Sequence, residues 1–177
     1  MPRLRFFSIS GMIGAAPLRV KREDHRKNGP HMPGQPSLEV REDYNALLDA
    51  LMPFAEEMLK KHGEFFPFGA AVSTMGEVTA HATCDGSETL PSEEVIASLV
   101  QGFQAEARAG KIRATGICYD GRIVQDGKKV DAVLISLEHV SANASKTCVP
   151  YTKSMFGKYR FGDIIAALEE PKVFVTG

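Results

Sequence analysis

The stretch IRATGICYDGRIVQDGKKVDAVLISLEHV, residues 112–140, decides the fold of this chain. It holds two long segments that read as strands, 112–124 and 130–140, with Asp126-Gly127 between them. Asp-Gly suits a two-residue hairpin turn, because such a turn needs positive φ angles. The stretch therefore predicts two long strands joined by a tight hairpin.

The segments around this hairpin predict helices and further strands. Apolar residues recur at three- and four-residue steps in two segments, as in helices with one buried face. Other segments alternate like strands, and Pro150 favours an edge position or a bulge. In chain order the predicted elements are a helix at 41–62, strands at 66–72 and 78–82, a helix from 91 or 92 to 110, strands at 112–124, 130–140 and 147–153, a short helix at 164–170 and a final strand at 172–175.

This order, α-β-β-α-β-β-β-α-β, contains hairpins and a meander and no βαβ alternation. Hairpins join antiparallel strands, whereas parallel strands need long crossover connections. The sequence therefore predicts an α+β fold, with a mostly antiparallel sheet and helices packed on one face.

Residues 1–37 differ in composition from the rest of the chain. They hold five of the ten prolines and seven Lys/Arg against two Asp/Glu, whereas residues 38–177 hold fourteen Lys/Arg against twenty Asp/Glu. A basic, Pro/Gly-rich segment predicts a disordered tail before a single domain at 38–177. A targeting segment and a start placed too far upstream are the alternatives.

The charge and cysteine patterns exclude several classes of function. An acidic body argues against general nucleic-acid binding, which needs a basic face. No apolar run reaches the roughly 20 residues that cross a membrane. The three cysteines, Cys84, Cys118 and Cys148, suggest no disulfide framework and fit a reducing compartment. We therefore expect a cytoplasmic protein.

The segment FPFGAAVSTMGEVTAHATC looks like the start of a zinc-dependent nucleoside deaminase. That chemistry needs a Glu after the His and a downstream P-C-x-x-C, and the chain has neither. His81 is instead expected on the outer face of a β-hairpin. No Gly-rich phosphate loop is present either. The sequence therefore predicts no metal site and no cofactor.

The segment YTKSMFGKYRFG, residues 151–162, interleaves aromatic residues with cations on an otherwise acidic body. Such a pattern can stack on and pair with an anionic ligand or an acidic partner. The alternative is an edge strand with core aromatics and protective outer charges. The candidate binding residues are Tyr151, Lys153, Lys158, Tyr159 and Arg160.

Four stretches, LLDALMPFAEEMLKKHGEFFPFGAAV, AEARAGKIRATGICYD, DAVLISLEH and EEPKVF, resemble a family of small bacterial proteins of uncharacterised function. The resemblance covers roughly residues 41–174. The element order is also similar, in topology only, to that of roadblock- and profilin-like domains. The family implies the domain boundary and no catalytic motif, so it leaves the function open.

The leading functional hypothesis is a non-enzymatic domain that acts through protein contacts, including a homodimer through a sheet edge or a helix face. The rival is a small hydrolase or transferase that uses His81 and His139 with a carboxylate such as Asp120. A binding module of profilin type for an anionic ligand lies between the two. A pocket that gathers those side chains would favour the enzyme.

Overall fold

The computed structural model describes residues 5–8, 36–84 and 90–175. The backbone forms two helices and eight strands over these ranges. In chain order they are β1 (Arg5–Ser8), α1 (Leu38–His62), β2 (Phe68–Ser73), β3 (Val78–Cys84), α2 (Ser92–Arg108), β4 (Ile112–Gln125), β5 (Lys128–His139), β6 (Ala142–Lys153), β7 (Tyr159–Phe161) and β8 (Ile165–Leu168).

The eight strands form one antiparallel sheet in the order β1-β3-β2-β4-β5-β6-β7. β7 and β8 both pair with the outer side of β6, β7 along 151–153 and β8 along 145–148. The predicted α+β class and mostly antiparallel sheet are confirmed.

The β4–β5 hairpin is the longest ladder of the sheet, and its register runs from Ala114 opposite His139 to Gln125 opposite Lys128. The turn residues Asp126 and Gly127 have φ angles of 50° and 72°. This is the positive-φ turn that the dipeptide predicts.

α1 begins and ends with the caps that its sequence provides. The Ser37 Oγ accepts a hydrogen bond from the Val40 N–H at 3.3 Å, and Gly63, with φ 83°, donates its N–H to the Leu59 carbonyl. Between the caps, one stripe of α1 is buried: Val40, Asp43, Leu47, Leu51, Ala55 and Leu59. The predicted helix is confirmed, although it starts three residues earlier than expected.

The two helices cover opposite faces of the sheet, so the prediction that they share one face is wrong. Ala70 of β2 packs with the α1 cluster, whereas its neighbour Ala71 packs with Leu99 and Phe103 of α2. Successive strand residues point to opposite faces, so the two helices must lie on different sides. A Cβ at Gly69 would lie 2.8 Å from the Phe103 ring, so glycine is what allows α2 this close to β2.

The C-terminal segment also differs from the prediction. The stretch IIAALEE contains strand β8 rather than a helix, because residues 165–168 pair with β6. The segment KVFV is not a strand. The Glu138 carboxylate accepts the N–H groups of Lys172 and Val173 at 2.9 and 2.8 Å, in place of a neighbouring strand.

Pro150 lies where the outer neighbour of β6 changes from β8 to β7. The Pro150 carbonyl accepts the Gly162 N–H on that outer side. A residue's N–H and C=O point to the same side of a strand, so the N–H that Pro150 lacks would also have pointed outward. The ladder with β5 therefore loses no hydrogen bond.

The predicted disordered tail, residues 1–37, falls mostly outside the described residues. The predicted disorder does not extend to Arg5–Ser8, which forms β1 and pairs antiparallel with β3. Residues 5–8 therefore belong to the sheet and form one of its edges.

Candidate functional site

The segment YTKSMFGKYRFG forms the β6–β7 hairpin at one edge of the sheet. Its turn is held by three hydrogen bonds: Gly157 N–H to the Ser154 carbonyl, Lys158 N–H to the Ser154 Oγ, and Ser154 N–H to the Lys158 carbonyl. Gly157 has a φ of 75°, which glycine adopts without strain. The turn therefore has a fixed conformation, and it sets which side chains point inward.

The inner side of the hairpin is part of the hydrophobic core. Tyr151 is 8% exposed and packs in the cluster beneath α1. Its ring lies 5.7 Å from that of Tyr159 and 6.0 Å from that of Phe161, both half-buried. The Tyr151 hydroxyl donates to the Asp120 Oδ1 at 2.8 Å. Tyr151 therefore fills the core, and Tyr159 presents only part of its ring to solvent.

Burial and this hydrogen bond shift the ionisation of both partners. Burial, then the hydrogen bond to Asp120, raises the pKa of Tyr151. Burial also raises the pKa of Asp120, against the opposing effect of the Tyr151 hydroxyl. Both groups therefore favour their protonated forms more than they would in water.

We call five exposed side chains at the turn and on the two strands of the hairpin the tip surface: Lys153, Met155, Phe156, Lys158 and Arg160. Met155 is 98% exposed and Phe156 is 89% exposed. Within the described part of the chain, no carboxylate forms an ion pair with the three cations. The tip surface therefore combines two apolar side chains with three positive charges that no ion pair of the described residues balances.

The C-terminal end of α1 lies beside this hairpin and extends its positive charge. The Lys60 Nζ lies 6.0 Å from the centroid of the Phe161 ring, and the Lys153 Nζ lies 5.3 Å from that of Tyr159. Cations over aromatic faces gain a modest electrostatic attraction. Lys60 also pairs with Glu56 at 3.0 Å, so part of its charge is already balanced.

The structure does not bring together the residues of the enzyme hypothesis. Asp120 bonds to Tyr151, whereas the His139 Nε2 lies 3.2 Å from the Asp43 Oδ2. His139 pairs with Ala114 of β4, and Asp120 lies six residues further along that strand. That separation is about 20 Å at the usual rise per strand residue. The two groups cannot act on one substrate atom.

His81 is buried, so its predicted position on an outer, exposed face is wrong. Because α2 covers this side of β3, the His81 ring packs edge-on against Phe103 at 5.3 Å. Burial lowers the pKa of His81 to about 4. The imidazole is therefore neutral at physiological pH.

A buried polar network joins α1 to the end of the β5–β6 hairpin. Arg113 donates to both carboxylate oxygens of Asp43, from Nε at 2.7 Å and from a terminal nitrogen at 2.8 Å. The same carboxylate accepts from His139. The Ser141 N–H donates to the His139 Nδ1 at 3.0 Å, which leaves the proton on Nε2. The network ties three parts of the chain together.

The network connects Ser141, His139 and Asp43 in the order of a catalytic Ser-His-Asp triad, but its hydrogen bonds do not suit the chemistry of a triad. The Ser141 Oγ lies 2.9 Å from the His139 Nδ1. The Nδ1 lone pair already accepts the Ser141 backbone N–H, so it is a poor base for the hydroxyl. Arg113 also balances the Asp43 charge that would stabilise an imidazolium. We interpret the role of the network as structural, because it holds α1 against the end of the β5–β6 hairpin.

The sequence patterns did not lead us to two buried carboxylates, Asp43 of this network and Glu138 of β5. Each has a recognisable signal. Asp43 stands in the apolar stripe of α1, four residues before Leu47, and Glu138 follows the apolar run AVLISL in β5. A carboxylate inside an apolar stripe needs a buried partner, because burying an unpaired charge is expensive.

Two surface cavities of the described protein do not gather the enzyme candidates. A groove of about 560 Å³ between α2 and the C-terminal segment has no His, Cys or Ser in its lining, and Gln104 there donates to the Lys172 carbonyl at 2.7 Å. A smaller cavity of about 220 Å³ is lined by Asp120 and Asp131 without either histidine. Neither supplies a nucleophile beside a base.

The cysteines that the structure describes with side chains are unsuited to catalysis. Cys118 and Cys148 are buried free thiols, and burial raises the pKa of both. The side chain of Cys84 lies outside the described residues. Over the described ranges, no three His, Cys, Asp or Glu side chains are grouped closely enough to hold a metal ion. None of the described helices combines the length and the apolarity that crossing a membrane requires.

Comparison with known proteins finds no match to this chain among family models, curated protein sequences or solved structures. The resemblance to the bacterial family and the topological similarity to roadblock- and profilin-like domains therefore stay predictions.

Proposed function

We propose that this protein is a non-enzymatic interaction domain whose tip surface docks on an acidic protein partner. The observation that carries the proposal is the exposure of Met155 and Phe156, two neighbouring apolar side chains at the end of a fixed turn. Aromatic residues, Met and Arg are enriched in protein interfaces, where a few buried anchors supply most of the binding energy.

The charges around these two side chains favour a partner that is negatively charged. Lys153, Lys158 and Arg160 surround them, whereas residues 38–177 as a whole carry fourteen Lys/Arg and twenty Asp/Glu. A local positive patch on an acidic body attracts an acidic surface and orients its approach. Phe156 would then enter an apolar pocket while the cations pair at its rim.

The inner side of the hairpin supports this role by holding the tip in one conformation. Tyr151, Tyr159 and Phe161 anchor both strands in the core, and Ser154 fixes the turn. A preorganised element loses less conformational entropy on binding than a disordered loop does. The core aromatics therefore contribute to binding through rigidity, and the exposed residues contribute through contact.

A charge-matched pair of variants tests the proposal. The tip variant replaces Lys153, Lys158 and Arg160 with Gln, and the control variant replaces Lys111, Lys128 and Lys129, three exposed lysines elsewhere. Each immobilised protein is incubated with lysate at about 50 and 300 mM salt, and captured proteins are quantified by mass spectrometry. The screening length is about 14 Å at the lower salt concentration and about 6 Å at the higher one.

The proposal predicts that acidic proteins captured by the wild type are lost with the tip variant and retained with the control variant. The loss should be larger at the lower salt concentration, where screening is weaker. Equal capture by both variants at both salt concentrations would show that the tip surface has only a structural role.

A further inference from the structure

β8 is an edge strand whose own sequence offers no protection against pairing beyond its short length of four residues. All four of its residues, Ile165–Leu168, are exposed, and Leu168 is 81% exposed. The run IIAAL, residues 164–168, contains no charge and no proline. Natural edge strands are normally protected by short length, charged side chains, prolines, bulges or a covering segment, and of the sequence features among these β8 has only the first.

The neighbouring strand β7 lies on the same side of β6 and is protected. β7 carries Arg160 in its centre and follows Lys158 directly. β7 and β8 therefore differ in the charged side chains that keep an edge strand from pairing with another chain. The difference indicates that β8 is covered in the functional protein.

The hydrogen-bonding pattern of β8 shows which of its backbone groups point away from β6 and are available to another strand. The Glu169 N–H donates to the Ala144 carbonyl of β6 at 3.0 Å. In an antiparallel pair, inward and outward residues alternate, so Ile165 and Ala167 also face β6. Ala166 and Leu168 then direct their N–H and C=O groups away from the sheet. Among the described strands, β8 pairs with β6 alone.

We infer that β8 pairs antiparallel with β8 of a second copy of this chain, about a two-fold axis at Ala167. Only residues whose backbone groups point outward can form the hydrogen-bonded pairs between the two copies. Near the strand centre this leaves two registers, one with Ala166 opposite Ala166 of the second copy and one with Ala166 opposite its Leu168. The first register would place Asp163 opposite Glu169 of the second copy. The second places Ala166 opposite Leu168, and no acid then faces another acid.

The chosen register also uses the charges that are already present. Glu169 lies opposite Ile165 of the second copy, and its carboxylate is balanced by Lys146 at 2.7 Å and Lys172 at 3.3 Å. Glu170 lies opposite Ile164. Two hydrogen-bonded pairs form, with about four backbone hydrogen bonds across the axis. Each Leu168 side chain covers Ala166 of the other copy, and two sheets join into one.

Light scattering of the full chain after size exclusion tests the inference. The wild type is expected at about twice the 19.3 kDa chain mass, with dissociation on dilution. Leu168→Lys places a charge opposite Ala166 of the second copy, one residue from the axis, and Ala166→Pro removes an outward N–H while leaving the bonds to β6 intact. Both should be monomers with unchanged circular dichroism. The control, Val124→Lys, changes a 71% exposed side chain outside β8 and should stay a dimer.

Amide hydrogen exchange at two protein concentrations gives the second readout. The inference predicts that the Ala166 and Leu168 amides are protected at high concentration and exchange freely on dilution. A wild type that stays monomeric at every concentration would overturn the inference. The same holds for a monomer that binds extended peptides on β8, because the partner would then not be a second copy. A dimer that survives both β8 variants would overturn it as well.

Discussion

The two sides of the β6–β7 hairpin carry similar residues in opposite environments. Tyr151 on the inner side is 8% exposed, whereas Phe156 at the tip is 89% exposed. The inner ring packs in the core and donates a hydrogen bond, and the outer ring has no core to fill. An aromatic residue in this segment therefore stabilises the fold on one side and is available for binding on the other. The difference comes from the turn that Ser154 and Gly157 fix.

The largest effect is expected from Tyr151→Ala on the inner side. Removal of a large buried ring should lower the free energy of unfolding by about 3–5 kcal/mol, because it leaves a cavity beneath α1. Urea unfolding followed by circular dichroism measures the change. Tyr151→Phe is the control, and it should lose about 1 kcal/mol with the hydrogen bond to Asp120. A loss below about 1 kcal/mol for the alanine variant would contradict a core role.

A smaller, pH-dependent effect is expected from Asp120→Asn. Burial raises the pKa of Asp120 in the folded protein, so the folded state holds the proton more tightly than the unfolded chain does. Ionisation of this carboxyl therefore destabilises the fold. The stability of the wild type relative to the variant should fall as the pH rises from about 4 through the raised pKa. Unfolding free energies measured between pH 4 and pH 7 test the sign, and a relative stability that grows with pH would contradict it.

The smallest effect is expected from Phe156→Ser at the tip. An exposed side chain away from buried features usually changes stability by less than about 0.5 kcal/mol. Phe161→Ser is the matched control, because Phe161 is half-buried against the core and its replacement should lower the melting temperature clearly. If Phe156→Ser lowered stability as much as Phe161→Ser, the division of the hairpin into two sides would be wrong.

The elements that local sequence signals determine were predictable. Asp126-Gly127 specifies its own turn, and the apolar stripes of α1 and α2 need no knowledge of distant residues. The placement of α2 had a signal as well. The run FGAAV in β2 is apolar at every position, which is typical of a strand buried on both faces. Read in that way, it predicts a helix on each side of the sheet.

Other features depend on contacts between distant residues and could not be predicted from local patterns. The stretch IIAALEE has a good helical composition, but pairing with residues 145–148 makes it a strand. The basic and aromatic character of YTKSMFGKYRFG was visible in the sequence. Which of its aromatics turn inward was not, because that depends on where the turn falls and on the position of Asp120 in another strand.

The most direct test of the tip surface is site-specific photo-crosslinking in living cells. A photoreactive phenylalanine analogue replaces Phe156 in one version of the protein and Val124, an exposed residue of β4, in the control. Docking through the tip surface predicts cross-links to acidic proteins from position 156 that are absent from position 124 and disappear when Lys153, Lys158 and Arg160 are replaced by Gln. Identical cross-links from both positions, or none from position 156, would contradict it.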